Sequence, residues 1–165
     1  MAHYNRTVSG VGGWLAIFTF ILLVASPLNL VLGVASSLYG DPSVRAAYPG
    51  PVFATIEIME WSLALGGVAA CWFLVYRLLK VQVWRSVQIV IAGIWIIGVG
   101  LTFAELALVS LIASIDPRQI LAATAAEQIR PFVFGGIWTA YFLKSERVAN
   151  TYLRDGVGGA ADVFS

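Results

Sequence analysis

The chain has one cysteine, Cys71, and one histidine, His3. A single cysteine excludes an intrachain disulfide and a cysteine-based metal site within one chain. With its histidine at the very start, the sequence has no internal imidazole to hold haem iron or relay a proton. Charge is scarce as well. Asp, Glu, Lys and Arg make up 12% of the 165 residues, about half of the usual ~25%, so too little polar surface exists to cover a water-soluble globule. The net charge is +1 and the ten Lys and Arg are scattered, which argues against a nucleic-acid footprint. No internal repeat or second domain is visible. No nucleophile–base pair, metal-ligand spacing or cofactor loop stands out, and "GVGG" at 10–13 lacks the strand and lysine of a phosphate loop. The expectation is a protein that is not an enzyme and has no cofactor and no metal.

What the sequence has is length of apolar run. Hydrophobic residues make up 59% of it and the mean hydropathy is +0.85. The runs approach the ~20 residues a helix needs to cross a ~30 Å hydrocarbon layer, and they lack the alternation of membrane-barrel strands. The reading is all-α: an integral membrane four-helix bundle forming one domain over 1–155. Spans are expected at about 14–36, 52–79, 86–115 and 119–145, the last with a polar helical extension to about 153, followed by a mobile tail at 156–165. Pro27 should kink the first span. "YGDPSVRAAYPGP" (39–51) reads as a loop, its Asp-Pro, Pro-Gly and Gly-Pro steps forbidding a continuous helix. "DPRQ" (116–119) reads as a helix start, Asp as cap and Pro at the first helical position.

Basic residues set the expected orientation. Arg6, Arg77, Lys80, Arg85, Lys144, Arg147 and Arg154 fall on one side, and Arg45, Arg118 and Arg130 on the other. Seven against three puts both termini in the cytoplasm. Lys144, Arg147 and Arg154 then form a cytoplasmic basic segment able to meet anionic lipid headgroups or a partner.

Arg130 raises a question of burial. If the fourth span were only Pro131–Leu143, it would rise about 20 Å and fall roughly 10 Å short of the hydrocarbon thickness. Extending the helix backward through Arg130 corrects this and carries the arginine inward; the alternative is local thinning, a re-entrant entry, or an Arg130 that snorkels to the outer headgroups. Asn29, Glu57, Glu60 and Glu105 fall in the same outer half. Carboxylates in lipid cost about 2.5–3.5 kcal/mol each, so they face the bundle, pair or stay protonated. The expected arrangement is an intramembrane polar cluster of Asn29, Glu57, Glu60, Glu105 and Arg130, with Arg130 neutralised by Glu105 and by Glu60 or Glu57. Three acids against one arginine leave a surplus that protons or a visiting cation must balance.

Two segments, "GVGGWLAIFTFILLVASPLNLV" and "IWTAYFLKSERVANTYLRD", resemble the bacterial membrane family catalogued as domain of unknown function 2569. Its members open on Gly-Gly-Trp-Leu with a proline late in the first helix. They close on a pattern matched here by Ile137, Trp138, Tyr141, Phe142, Ser145, Arg147, Val148, Thr151 and Tyr152. The resemblance also extends to an acidic residue in the second helix, Glu57 or Glu60, and to Arg130 entering the fourth. It implies a small four-helix inner-membrane protein of no established activity.

Two functions compete on this basis. The first is an accessory, assembly or scaffold subunit of a larger inner-membrane complex. The second is a small oligomeric transporter or proton- or cation-coupled channel using the carboxylate and arginine cluster. Either way the expected setting is the bacterial inner (cytoplasmic) membrane, crossed several times. The expected partners are membrane lipids with other subunits or further copies of the chain, and no nucleic acid.

Overall fold

A computed structural model describes residues 10–48 and 50–152, apart from the side chains of 44, 123, 124 and 126–128. His3, Arg6, Arg154 and the tail at 156–165 lie outside the described residues. Among the described residues six helices follow one another: α1 (Trp14–Tyr39), α2 (Pro42–Ala47), α3 (Gly50–Lys80), α4 (Trp84–Ala113), α5 (Pro117–Lys144) and α6 (Glu146–Thr151). No strand occurs among the described residues. Three of the helices, α1, α3 and α4, are long and apolar enough to cross a membrane. This is an all-α membrane protein. Backbone contacts run from α1 to α3, from α3 to α4 and from α4 to α5.

Both helix starts at an Asp-Pro step are built alike. The Asp41 carboxylate accepts from the Ser43 amide at 2.8 Å, and Asp116 accepts from Arg118 at 2.9 Å, each satisfying an amide the first turn leaves free. The Ser43 amide and hydroxyl hold the Asp41 carboxyl below its ordinary pKa. The loop expected at 39–51 therefore contains a short helix, α2: Pro42 starts a turn here as Pro117 does in α5.

Inside α1 the helix widens into a π turn over Ile21–Ala25, where the Ser26 amide bonds the Ile21 carbonyl. Pro27 follows directly. Having no N–H, it leaves the Leu23 carbonyl, four residues back, without a helical donor. In hydrocarbon no water can replace that donor. The indole of Trp72 on α3 supplies it, Nε1–H donating to the Leu23 oxygen at 3.2 Å. A second π turn, Ile96–Gly100, interrupts α4, and Gly98 within it meets Pro131 of α5 so closely that an added Cβ would lie 3.3 Å from the proline ring. Nearby, Trp95 donates to Thr139 at 3.0 Å while its ring packs on Gly135.

The half of the molecule holding both ends of the described chain is densely packed. Phe18 lies 4.5 Å from Trp138 and 4.9 Å, edge to face, from Phe142, ring centre to ring centre. Leu15, Leu78, Val87 and Val90 fill the space around them. α6 closes this half. In place of a continuous polar extension of α5, the chain leaves helical geometry at Ser145, whose hydroxyl accepts from the Val148 amide, and turns back. Val148 and Tyr152 are fully buried. The Tyr152 hydroxyl donates to the Leu78 carbonyl at 2.8 Å, and the Gly10 amide donates to Thr151 Oγ1 at 2.9 Å.

Two predictions arise here. Trp72→Phe should cost about 1 kcal/mol in reversible unfolding from mild detergent, and the cost should vanish in a Pro27→Ala background, where residue 27 can again donate to Leu23. Equal costs in both backgrounds would show that the indole bond does not serve the carbonyl freed by the proline. For Tyr152, burial, followed by the neighbouring Tyr141, raises the phenol from 10.0 to about 12. The unfolded tyrosine therefore loses its proton first, so the stabilisation is complete below pH 10 and lost as pH rises from there to about 12. Tyr152→Phe should be less stable at neutral pH by about 1 kcal/mol and should lack this alkaline loss, read as the wild-type-minus-variant difference across that window.

Candidate functional site

Beyond the π turns the packing opens. A cleft of about 670 Å³ lies in the half away from the chain ends, walled by all four long helices. Its polar groups are Asn29, Ser36 and Ser37 from α1, Glu60 from α3, and Thr102 and Glu105 from α4, while α5 contributes Ile120 and Pro131. The helical repeat explains the set. Asn29, Gly33, Ser36 and Ser37 recur on one face of α1, as do Thr102, Glu105 and Val109 on α4. The small residues Ala64 and Gly67 continue the Glu60 face of α3. Gly67 lets α1 and α4 approach, an added Cβ falling 2.9 Å from Leu30 and 3.2 Å from Leu101.

Among the described residues Glu60 is the buried carboxylate, only 8% exposed. Its Oε2 accepts from the Ser37 hydroxyl at 2.8 Å. Glu105 stands in the open part of the cleft and is exposed. Among the described residues the walls include no Lys, Arg or His. Glu60, Ser37 and Val109 also wall a smaller chamber of about 120 Å³, completed by Leu38, Tyr48, Phe53 and Ile56 toward the α1–α3 loop. The buried carboxylate thus belongs to two adjoining spaces.

Of the residues expected to cluster, the structure brings Asn29, Glu60 and Glu105 into one cleft and separates the other two from it. Glu57 accepts a hydrogen bond from the Tyr39 hydroxyl, which in turn accepts from Trp61 Nε1 at 3.4 Å, on the loop side. Arg130 is exposed, and among the described residues it makes no ion pair with Glu57, Glu60 or Glu105. The expected neutralisation of these acids by Arg130 is therefore not the arrangement found. The reason is the register of α5: the positions packed against the protein run through Pro131, Gly135, Trp138 and Phe142, at spacings of four, three and four, and Arg130 is off that stripe. Among the described residues no group of three or more His, Cys, Asp or Glu is gathered as a metal-ion ligand set.

In the basic segment, Lys144 is exposed, but Arg147 is half-buried, its guanidinium 3.0 Å from where a Cβ on Gly12 would lie. Arg147 is thus part of the contact between α6 and the leader, residues 10–13 ahead of α1. Sequence reasoning missed Ser36 and Ser37. Their signal was present, two adjacent hydroxyls seven and eight residues after Asn29 in an apolar helix, but each also reads as an ordinary residue near a helix end.

The sequence profile of the family described as Protein of unknown function (DUF2569) matches residues 8–153. The chain belongs to this family. The match takes in both the cleft and the closing segment, Ser145–Tyr152, of this DUF2569 chain. No curated protein and no solved structure matches it.

Proposed function

We propose that this DUF2569 protein is a multi-pass protein of the bacterial inner membrane whose cleft, in the outer half of the bilayer, binds a cation or exchanges a proton. The observation that carries this reading is the cleft's charge: Glu60 and Glu105 line one cavity whose walls, among the described residues, hold no basic side chain. At low dielectric two such acids are neutralised by protons or by a cation. α5, 28 residues long, is the fourth crossing, and the seven-to-three bias of basic residues supports cytoplasmic termini. Four helices are few for a solitary transporter, so the working unit is an oligomer. A second reading, an accessory or scaffold subunit, draws on the exposed aromatic face of α1 and α3, Trp14, Phe20, Trp72, Phe73 and Tyr76. Recovery of the protein in a stoichiometric larger complex favours that reading.

One experiment tests the site and its side together. A water-soluble, membrane-impermeant carbodiimide added to right-side-out vesicles should modify Glu105, and more slowly Glu60, as located by mass spectrometry. The same reagent should leave both unmodified in inverted vesicles. Modification should slow when sodium or ammonium ions are added and as pH rises. Modification from the inner side refutes the topology. Modification indifferent to both cations and pH refutes the cation or proton site.

A further inference from the structure

The cleft is far larger than a proton or a bare metal ion requires. At about 670 Å³ it falls within the range of small-molecule pockets, roughly 300–1,000 Å³. Its surface is of two kinds. Glu60 and Glu105 come from adjacent helices, with Asn29 and Thr102 as further polar groups, while Leu30, Val34, Leu63, Leu101, Leu106 and Val109 provide apolar wall. A hydrated inorganic ion would satisfy the carboxylates and leave that apolar wall without a partner. A neutral apolar molecule would cover the wall and leave the carboxylates uncompensated.

We propose that the cleft takes an organic ammonium, a protonated amine carried on an apolar body, with the ammonium shared by Glu60 and Glu105 and the body against the leucines and valines. This rests on the cation reading of the cleft and names its ligand class. An ammonium group has three donors and no acceptor, which matches two carboxylates and leaves one donor for the amide oxygen of Asn29 or the hydroxyl of Thr102. Thr102 itself donates to the Gly98 carbonyl at 2.7 Å, so its oxygen lone pairs remain free to accept. The Ser37 hydroxyl, donating to Glu60 Oε2, leaves the other carboxylate oxygen for the ligand. Two sources share this chemistry: a soluble amine, and the headgroup of an aminophospholipid whose chains follow the apolar wall.

The test is equilibrium binding of phenethylammonium to the purified full-length protein in phosphatidylglycerol nanodiscs, with empty discs subtracted. Propylbenzene, of the same shape without charge, is the comparison. Saturable binding is expected, weakened at least about tenfold in Glu60→Gln and in Glu105→Gln, unchanged in Glu57→Gln, and not reproduced by propylbenzene. Glu105 is exposed, so Glu105→Gln keeps the test decisive should the Glu60 variant fail to fold. Absence of saturable binding, equal affinity in Glu105→Gln, or equal binding of propylbenzene overturns the proposal. If carbodiimide modification still responds to sodium ions or pH while phenethylammonium neither binds nor protects, the ammonium class falls and the cation site stands; if neither responds, both fall. Phosphatidylethanolamine added to the discs separates the two sources. Loss of probe binding assigns the ammonium to a lipid headgroup, and unchanged binding assigns it to a soluble amine.

Discussion

A carbonyl that loses its helical donor inside hydrocarbon has no water to turn to, and each such group costs several kcal/mol if left bare. That constraint organises the middle of this protein. Pro27 releases the Leu23 carbonyl, and Trp72 on the neighbouring helix answers it. The π turns of α1 and α4 sit at this same level of the bundle, as does the contact between Gly98 and Pro131. Helix interruptions are tolerated where another helix compensates them, so the irregular positions are also the positions of interhelical contact.

Two unlike halves meet at that belt. On one side Phe18, Trp138 and Phe142 interlock with Leu78 and Val87, and α6 covers them. On the other, the same helices surround a cleft walled by serines, an asparagine and two glutamates. A packed half anchors helix positions that an open half alone would not fix, since polar contacts within a membrane contribute only modestly to association. The Ser37–Glu60 bond adds a local tie across the cleft without filling it.

The long helices were legible because apolar run length and turn chemistry are local. The Asp-Pro start at 116 is legible directly, whereas the same step at 41 reads as loop punctuation because Pro-Gly-Pro follows closely and masks a helix of only six residues. Asn29, Glu60 and Glu105 could be assigned to one level by counting along the spans. Arg130 could not be assigned a direction, because one residue of helical rotation, about 100°, decides between cleft and exterior. Glu57 and Glu60 show the same limit, since three residues of spacing put them on one broad face and yet Tyr39 takes one and Ser37 the other. The closing of Ser145–Tyr152 onto the leader depends on partners more than a hundred positions away, and no local pattern encodes that.

That closing contact has a bearing on how the protein is made. Thr151 bonds Gly10 across 141 positions and Tyr152 bonds Leu78 across 74, so the packed half cannot be finished before residues 151 and 152 have been made. Until then the sites on the earlier helices that receive Val148 and Tyr152 are vacant. Truncation anywhere before 152 leaves those sites unfilled. The packed half thus closes last, when Tyr152 reaches the end of the second long helix.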